Sequence, residues 1–419
     1  MRIVLALLAT VILLGTVAYF AIGLKPPERI RLATGIVEGG YWQIGEQYKT
    51  ELAKDGIVVE LLETAGSLEN VKMVGAGDAD VAIVQGGLEL AKDANLQSLG
   101  AIFLEPIAIF RGQSSPLGSN PGEWRDIRLA AGPVGSGTRA AALTLVEAAG
   151  VSGAGIELIE AGGADALTAL RDGTVDALLF VSPLAAPFLM EAIFDPDVLF
   201  VSMSLIDALA LKLPGAIAAT MPAGAISLNP PRPPAEIKVL TLKASLVSNN
   251  DLHPALVDRL VHAATVLHSD RDVLHGYREY PSADAPPVPM NESARQLILN
   301  GPNMLHDVLP YWIAAQFGRF LLLLLPLFFV LPPMLRAVPM VYVWFQRRRV
   351  WSQYQRIEEL EAELSEAKTA RDLEAVIEKL DALDASVSNL KLPLAYRQGA
   401  YDARLHIDLV RQEINRRQC

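Results

Sequence analysis

RIRLAT at residues 29–34, IVVELLE at residues 57–63 and ADVAIV at residues 79–84 are the stretches that decide the fold class. Each has the short, apolar and β-branched character of a buried strand. The intervening residues 41–54 and 68–74 carry apolar side chains at helical spacing. The alternation of strands and helices predicts a parallel sheet with right-handed crossovers. Ligands of such sheets bind at the carboxyl ends of the strands.

The same pattern returns further along the chain. IRLAA at residues 127–131 is followed by the turn GPVGSGT at residues 132–138 and by an Ala-rich helix predicted over 139–149. Two α/β lobes joined by crossing strands form a cleft in which a small ligand can bind. We expect an α/β domain over residues 29–310, with lobe 1 at about 29–110 plus 225–290 and lobe 2 at about 111–224.

The turn at residues 132–138 is the most suggestive chemical feature. Glycines between a strand and a helix let backbone N–H groups point into a concavity at the helix N-terminus, where an anion is stabilised. The turn lacks the Gly-Lys-Ser/Thr ending of a P-loop and is not a GxGxxG motif. It is either a ligand contact or a plain strand-to-helix turn.

Composition excludes several classes of function. A net charge of −11 argues against a nucleic-acid partner, because phosphate contacts need clustered Lys and Arg. The chain has one Cys, Cys419, which excludes an internal disulfide and a zinc or iron–sulfur site built on cysteines. Neither an HExxH motif nor a paired acid and base is present, so we expect no enzyme, no metal and no cofactor.

Two apolar segments predict membrane anchoring. Residues 3–24 carry no charge and follow Arg2, so we expect an anchor over 1–24, with a cleaved signal peptide as the alternative. The second predicted span, 311–346, precedes Arg347-Arg348-Arg349, and positive charge marks the cytoplasmic side. The expected location is the bacterial cytoplasmic (inner) membrane, with the main domain periplasmic and the C-terminus cytoplasmic.

The tail at residues 347–419 is predicted to be helical, with leucines and valines repeating every three and four residues. The phase slips between Ala367 and Leu373, and Pro393 interrupts the second run. Two or three helices that fold back on each other fit this pattern better than one rod, and we also expect the tail to self-associate as a coiled coil. A modest amphipathic hairpin without a partner is the alternative.

Several motifs, taken in order, resemble the TAXI family of solute receptors, the extracytoplasmic binding components of TRAP-type transporters. They are ATG at 33–35 with GGYW at 39–42, TAGSLEN at 64–70, GDADVAIVQ at 77–85 and GPVGSGTR at 132–139, extended by GTVDAL at 173–178 and DLHPAL at 251–256. The resemblance covers about residues 29–310. It implies a type II periplasmic-binding-protein fold that closes on a small organic solute, often a carboxylate or an amino acid such as glutamate.

Turn geometry and the resemblance together select the candidate ligand-binding residues. We expect N–H and hydroxyl donors from the second Gly-rich turn, a cation from Arg139, apolar packing from two aromatic residues and neutral hydrogen bonds from lobe 1. The set is Thr34, Gly40, Tyr41, Trp42, Gly66, Ser67, Asn70, Gln85, Gly135, Ser136, Gly137, Thr138 and Arg139. Tyr41 and Trp42 have an alternative role in the core of the first helix.

The chain departs from the family pattern in two places. Its first Gly-rich loop contains Ile36, Val37 and Glu38 where small residues are common, so the ligand's identity cannot be carried over. It also continues into a predicted span and tail, as in a membrane-anchored branch. Two functions follow: a receptor that delivers an organic anion or amino acid to a TRAP permease, or a sensor or scaffold that signals through the tail.

Overall fold

The computed structural model describes residues 15, 25–37, 39–88, 90, 95–284, 288–302, 305, 308–390 and 392–418. The predicted anchor at 1–24 and Glu38 of the first Gly-rich loop lie outside the described residues, except for Gly15. Contacts divide the chain into one unit of residues Ala21–Phe317 and a second unit that includes Gly318–Cys419.

The first unit alternates strands and helices. Its strands are β1 (Arg29–Ala33), β2 (Val58–Leu62), β3 (Val81–Val84), β4 (Leu96–Gly112), β5 (Arg128–Ala130), β6 (Glu157–Ile159), β7 (Ala177–Val181), β8 (Val198–Phe200), β9 (Ile217–Met221), β10 (Ser227–Leu228), β11 (Pro231–Arg232) and β12 (Ile237–Asn249). Its helices are α1 (Gly40–Ala53), α2 (Ser67–Ala76), α3 (Gly137–Ala148), α4 (Gly163–Arg171), α5 (Pro187–Phe194), α6 (Ile206–Lys212), α7 (Pro254–His268), α8 (Glu292–Asn300) and α9 (Tyr311–Ala314).

Two long strands connect the lobes. The main sheet has the order β2-β1-β3-β12-β4-β7-β5-β6, with β8 beside β4 and β9 beside β12. Strands β1, β2 and β3 are parallel in lobe 1, and β5, β6 and β7 are parallel in lobe 2. The antiparallel pair β4 and β12 runs through both lobes, because β4 pairs with β12 up to Pro106 and with β7 from Ile107 onwards. The chain thus forms the two-lobed α/β fold that the repeated pattern predicts.

Both lobes begin with the same ion pair, which fixes the first strand to the third. Arg31 on β1 donates from Nη2 to Asp80 Oδ1 at 2.9 Å and to the carbonyl of Gly77. Arg128 on β5 makes the equivalent bonds to Asp176 Oδ1, at 2.8 Å, and to Gly173. In both cases the Arg backbone N–H also donates to the aspartate. The repeat visible in the sequence is therefore a repeat of structure.

Each lobe has its own apolar core. In lobe 1 the buried strands pack against α1 and α7, with Tyr48 and Leu260 fully buried. In lobe 2 two clusters lie on the two faces of the sheet, one around Trp124 and Leu145 and the other around Phe110 and Leu167. Strands β4 and β12 contribute residues to the cores of both lobes.

The second unit is helical. Helix α10 (Phe317–Glu366) passes without a break through Pro326, Pro332, Pro333 and Pro339, although proline in a helix interior removes a backbone hydrogen bond. Helices α11 (Ala370–Ser388) and α12 (Arg397–Gln418) follow, and an apolar cluster joins all three through residues such as Leu360, Leu380 and Ile407. Among the described residues, no helix meets the length and apolarity needed to cross a membrane.

Candidate functional site

A cleft of about 100 Å³ lies between the lobes at the carboxyl ends of the parallel strands. Its walls come from the strand-to-helix turns of both lobes. The lining residues are Gly35, Ile36, Gly39, Gly40, Tyr41, Ala65, Gly66, Ser67, Gln85, Gly132, Pro133, Ser136, Gly137, Thr138, Gly162, Gly163, Phe180, Val181, Ser182 and Phe188. The position agrees with the rule that α/β sheets bind ligands beyond the carboxyl ends of their strands.

Four helices begin at this cleft. Their first residues are Gly40 in α1, Ser67 in α2, Gly137 in α3 and Gly163 in α4, and all four line the cleft. The first N–H groups of a helix have no partner inside the helix, and its N-terminus carries a partial positive charge. The cleft therefore gathers backbone donors and positive dipole ends from both lobes, an arrangement suited to an anion.

Charged side chains are absent from the described lining of the cleft. Arg139, predicted to supply a cation, does not line it, and its guanidinium lies within 3.4–3.5 Å of the carbonyls of Gly132 and Leu158. Among the described lining residues, the partial positive charge available to a ligand therefore comes from the helix ends. Across the residues that the structure describes, no cluster of three or more His, Cys, Asp or Glu could hold a metal ion.

The hydroxyl groups of the second Gly-rich turn are engaged within the protein. Ser136 caps α3 by accepting from the N–H of Arg139 at 3.1 Å, and it donates to the carbonyl of Pro133. Thr138 Oγ1 accepts from the N–H of Val181 at 3.3 Å. What this turn offers a ligand is therefore its backbone N–H groups, whereas the sequence led us to expect hydroxyl donors as well. Gly135 belongs to the turn but does not line the cleft.

The predicted residues of lobe 1 divide into those that face the cleft and those that support it. Gly40, Tyr41, Gly66, Ser67 and Gln85 line it.

Thr34 and Asn70 are buried behind the cleft, where Asn70 Nδ2 donates to the carbonyls of Thr34 and Ile83 at 2.6 and 2.8 Å. These bonds tie the end of β1 to β3 and to α2. Trp42 is half-buried on α1 and is not part of the lining.

The lobes touch across the cleft, so the structure is closed. The N–H of Leu68 in lobe 1 donates to the carbonyl of Gly135 in lobe 2 at 3.2 Å. Gln85 Nε2 donates to the carbonyl of Gly137 at 3.0 Å. A Cβ atom on Gly137 would lie 2.5 Å from Gln85 Oε1, and one on Gly40 would lie 2.7 Å from both Ser182 Oγ and Pro183 Cδ. These glycines are required because the two lobes approach each other closely here.

A buried carboxyl group lies beneath the cleft. Glu105 on β4 has no exposed surface, and the hydroxyl of Tyr41 donates to its Oε2 at 2.7 Å. Burial raises the pKa of Glu105 to about 8, while the bond from Tyr41 acts in the opposite direction. No donor among the described residues reaches its Oε1. Tyr41 thus joins the cleft wall to one of the strands that connect the lobes, and its ring packs edge-on against Phe103.

Sequence reasoning missed the part of the cleft that follows β6 and β7. Gly162, Gly163, Phe180, Ser182 and Phe188 all line it. A signal for two of them was present, because the pair Gly162–Gly163 stands between a strand and a helix like the two Gly-rich turns that were recognised. Glu105 gave no such signal, because its role depends on the tertiary contact with Tyr41.

A two-lobed α/β domain with a cleft at its strand ends defines the class of periplasmic-binding-protein-like folds. Within that class, a model of the NMT1-like family matches residues 32–269. This range is more than half of the chain, and the chain belongs to the NMT1-like family. Among curated proteins no match to the chain is found.

Similar solved structures include the alkanesulfonate-binding protein SsuA from Xanthomonas axonopodis pv. citri bound to MOPS, at 15% identity and a TM-score of 0.39, covering 58% of this chain and 73% of that chain. The GluR0 ligand-binding core from Nostoc punctiforme in complex with L-glutamate has 15% identity and a TM-score of 0.38, and the match covers 57% of this chain and 92% of that chain. An ancestral arginine-binding protein bound to arginine has 12% identity and a TM-score of 0.40, and the match covers 59% of this chain and 95% of that chain.

Proposed function

We propose that the chain is an extracytoplasmic solute receptor whose lobes close on a small organic anion, a carboxylate or an amino acid. The observation that carries this proposal is the meeting of four helix N-termini at a cleft whose described lining residues carry no charged side chain. Each helix dipole contributes roughly 0.3–1 kcal/mol toward an anion, and each charge-assisted hydrogen bond roughly 1.5–3 kcal/mol. The same helix N-termini and N–H donors disfavour a cation.

The proposal includes delivery to a TRAP-type permease, as the resemblance to TAXI receptors implies, and anchoring at the bacterial inner membrane. The apolar segments 1–24 and 311–346, and the arginines at 347–349, support a periplasmic binding domain with a cytoplasmic tail. The ligand-binding residues proposed are those that line the cleft, with Thr34 and Asn70 in a supporting role.

A second function is favoured by the helical unit. Helices α10, α11 and α12 share a buried cluster that includes Ile357, Leu383 and Val410, so the tail forms a packed structure of its own. A receptor that only delivers a solute does not need such a unit. We therefore keep the alternative that the protein is a ligand sensor or scaffold that signals through the tail.

The charge of the ligand can be tested at Ser182, which lines the cleft just after β7. Ser182→Asp places a carboxylate at the binding position, and Ser182→Asn is the matched control with nearly the same size and no charge. At about 4 Å and an intermediate dielectric, two like charges repel by roughly 4 kcal/mol. We expect Ser182→Asp to bind at least about a hundredfold more weakly than Ser182→Asn.

The measurement is calorimetric titration of the full chain with small carboxylates and amino acids, starting with L-glutamate, guided by the mass of any co-purifying solute. An affinity that falls equally in the two variants would show that Ser182 acts through size, and an affinity that rises in Ser182→Asp would show a cationic ligand. Either result would overturn the proposal.

A further inference from the structure

A second cavity, separate from the cleft, lies beside the connecting strands β4 and β12. It has a volume of about 290 Å³ and shares no lining residue with the cleft. Its walls come from β4, β8, β9 and β12, from α5 and from the segment that contains β10 and β11. The lining residues are Pro106, Ala108, Phe110, Leu184, Leu189, Ala192, Ile193, Val198, Leu199, Phe200, Ser202, Met221, Ile226, Arg232, Pro233, Pro234, Ile237 and Val239.

The chemistry of this cavity is amphipathic. Ser202 and Arg232 are the polar side chains among the described lining residues, and Arg232 is the charged one. Leu199 and Phe200 at its wall remain 38% and 37% exposed, although both are large and apolar. The cavity therefore presents an apolar surface that the protein itself leaves uncovered, with Arg232 as the cation among its described lining residues.

One donor of the Arg232 guanidinium, its Nε, is buried and is left without an acceptor among the described residues. Other arginines in the unit, such as Arg31, Arg128 and Arg171, are paired with carboxylates. A buried N–H donor without an acceptor costs free energy, so an acceptor supplied from outside would be stabilised at this point.

We propose that this cavity binds a medium-chain carboxylic acid, with its alkyl chain on the apolar walls and its carboxylate on Arg232. The size of the occupant follows from the volume. A cavity of about 150 Å³ with similar walls holds benzene, so about 290 Å³ accommodates roughly twelve non-hydrogen atoms. Decanoate has that size, and its one negative charge matches the charge of Arg232.

The test is calorimetric titration of the full chain in zwitterionic lipid nanodiscs with decanoate, with empty nanodiscs as the blank. We expect affinity to fall roughly fifteenfold for each two methylene groups removed from the acid. Arg232→Gln should weaken decanoate binding about tenfold or more, whereas Arg125→Gln, at an exposed arginine outside the cavity lining, should leave it unchanged. Decyltrimethylammonium, with the same chain and the opposite charge, should not bind.

Ala192→Leu provides an independent location test, because it adds volume to the cavity wall on α5 without adding charge. It should weaken decanoate binding and leave L-glutamate binding at the cleft unchanged. Unaltered decanoate affinity in both Arg232→Gln and Ala192→Leu would overturn the proposal, as would equal binding of decanoate and decyltrimethylammonium. If L-glutamate failed to bind while decanoate binding still depended on Arg232, the result would contradict the proposed binding at the cleft and leave the proposal for the second cavity standing.

Discussion

Substituting Gly40 by Ala should hold the lobes apart without damaging either one. The added Cβ would lie 2.7 Å from Ser182 Oγ and 2.7 Å from Pro183 Cδ, both on the opposite lobe. Ordinary contacts between carbon atoms are 3.5–4.0 Å, and the proline ring cannot rotate away. In the open state these neighbours are withdrawn, and Ala is a better helix former than Gly.

The magnitude follows from the cost of overpacking. Forcing one extra carbon into a tight contact costs roughly 1–3 kcal/mol. Because this cost falls on the closed state alone, it should reduce the affinity for the bound solute about five- to 150-fold. The thermal stability of the unliganded protein should remain the same or rise slightly.

Hydrogen exchange at the amide of Leu68 gives a direct assay of closure. This N–H lies in the first turn of α2, where helix geometry supplies no partner, and it donates to Gly135 of the other lobe. Its protection therefore reports the closed state. Gly75→Ala is the matched control, because a Cβ at Gly75 would meet nothing within 4 Å. Unchanged Leu68 exchange and unchanged affinity in Gly40→Ala would refute the reasoning.

Three further predictions concern stability. Burial raises the pKa of Glu105 from 4.5 to about 8, so between these pH values the folded chain retains a proton that the unfolded chain loses. The wild type should therefore lose stability as the pH rises through this range, at ~1.36 kcal/mol per pH unit. Glu105→Gln should remove this pH dependence in melting curves recorded from pH 4 to pH 9. Arg128 lowers the pKa of Asp176 through a hydrogen bond, so Asp176→Asn should cost about 1–2 kcal/mol at pH 7, and the difference should vanish in acid once the wild-type aspartate is protonated; a difference that persists in acid would contradict this. Leu380→Ala, at a fully buried position of the tail cluster, should cost roughly 2–5 kcal/mol of stability and lower the temperature at which the helical signal is lost. Leu405→Ala, at an exposed position, should leave that temperature unchanged.

The strands and turns of both lobes could be predicted because their signals are local. The apolar runs that become β1, β3, β5 and β7 are short and bounded by Gly or polar residues, which is sufficient to identify a buried strand. The length of β4 could not be predicted. The strand spans Leu96–Gly112 because its first half pairs with β12, which lies far away in the chain, and no local signal marks that pairing.

At the site, the glycines were easier to locate than their partners. The turn at residues 132–138 does line the cleft, but the engagement of Ser136 and Thr138 in internal hydrogen bonds depends on Pro133 and Val181. Such bonds are set by the tertiary fold and leave no mark on local sequence spacing.

The tail shows the opposite case, in which an irregularity of the pattern marked a structural boundary. The slip in phase between Ala367 and Leu373 coincides with the end of α10 at Glu366 and the start of α11 at Ala370. Thr369 caps the new helix by accepting from the N–H of Asp372, whose side chain accepts from Thr369 in return. A change of phase in an apolar repeat is thus a turn signal when capping residues stand beside it.

The most direct test of the anion-binding cleft is native mass spectrometry of the intact chain, followed by identification of the solute it releases. The meeting of Gly40, Ser67, Gly137 and Gly163 at one cleft predicts a small organic molecule that carries at least one carboxylate or comparable anionic group. The same mass should be absent from, or strongly reduced in, Gly40→Ala. Release of a cationic solute, or undiminished retention of the solute by Gly40→Ala, would contradict the account.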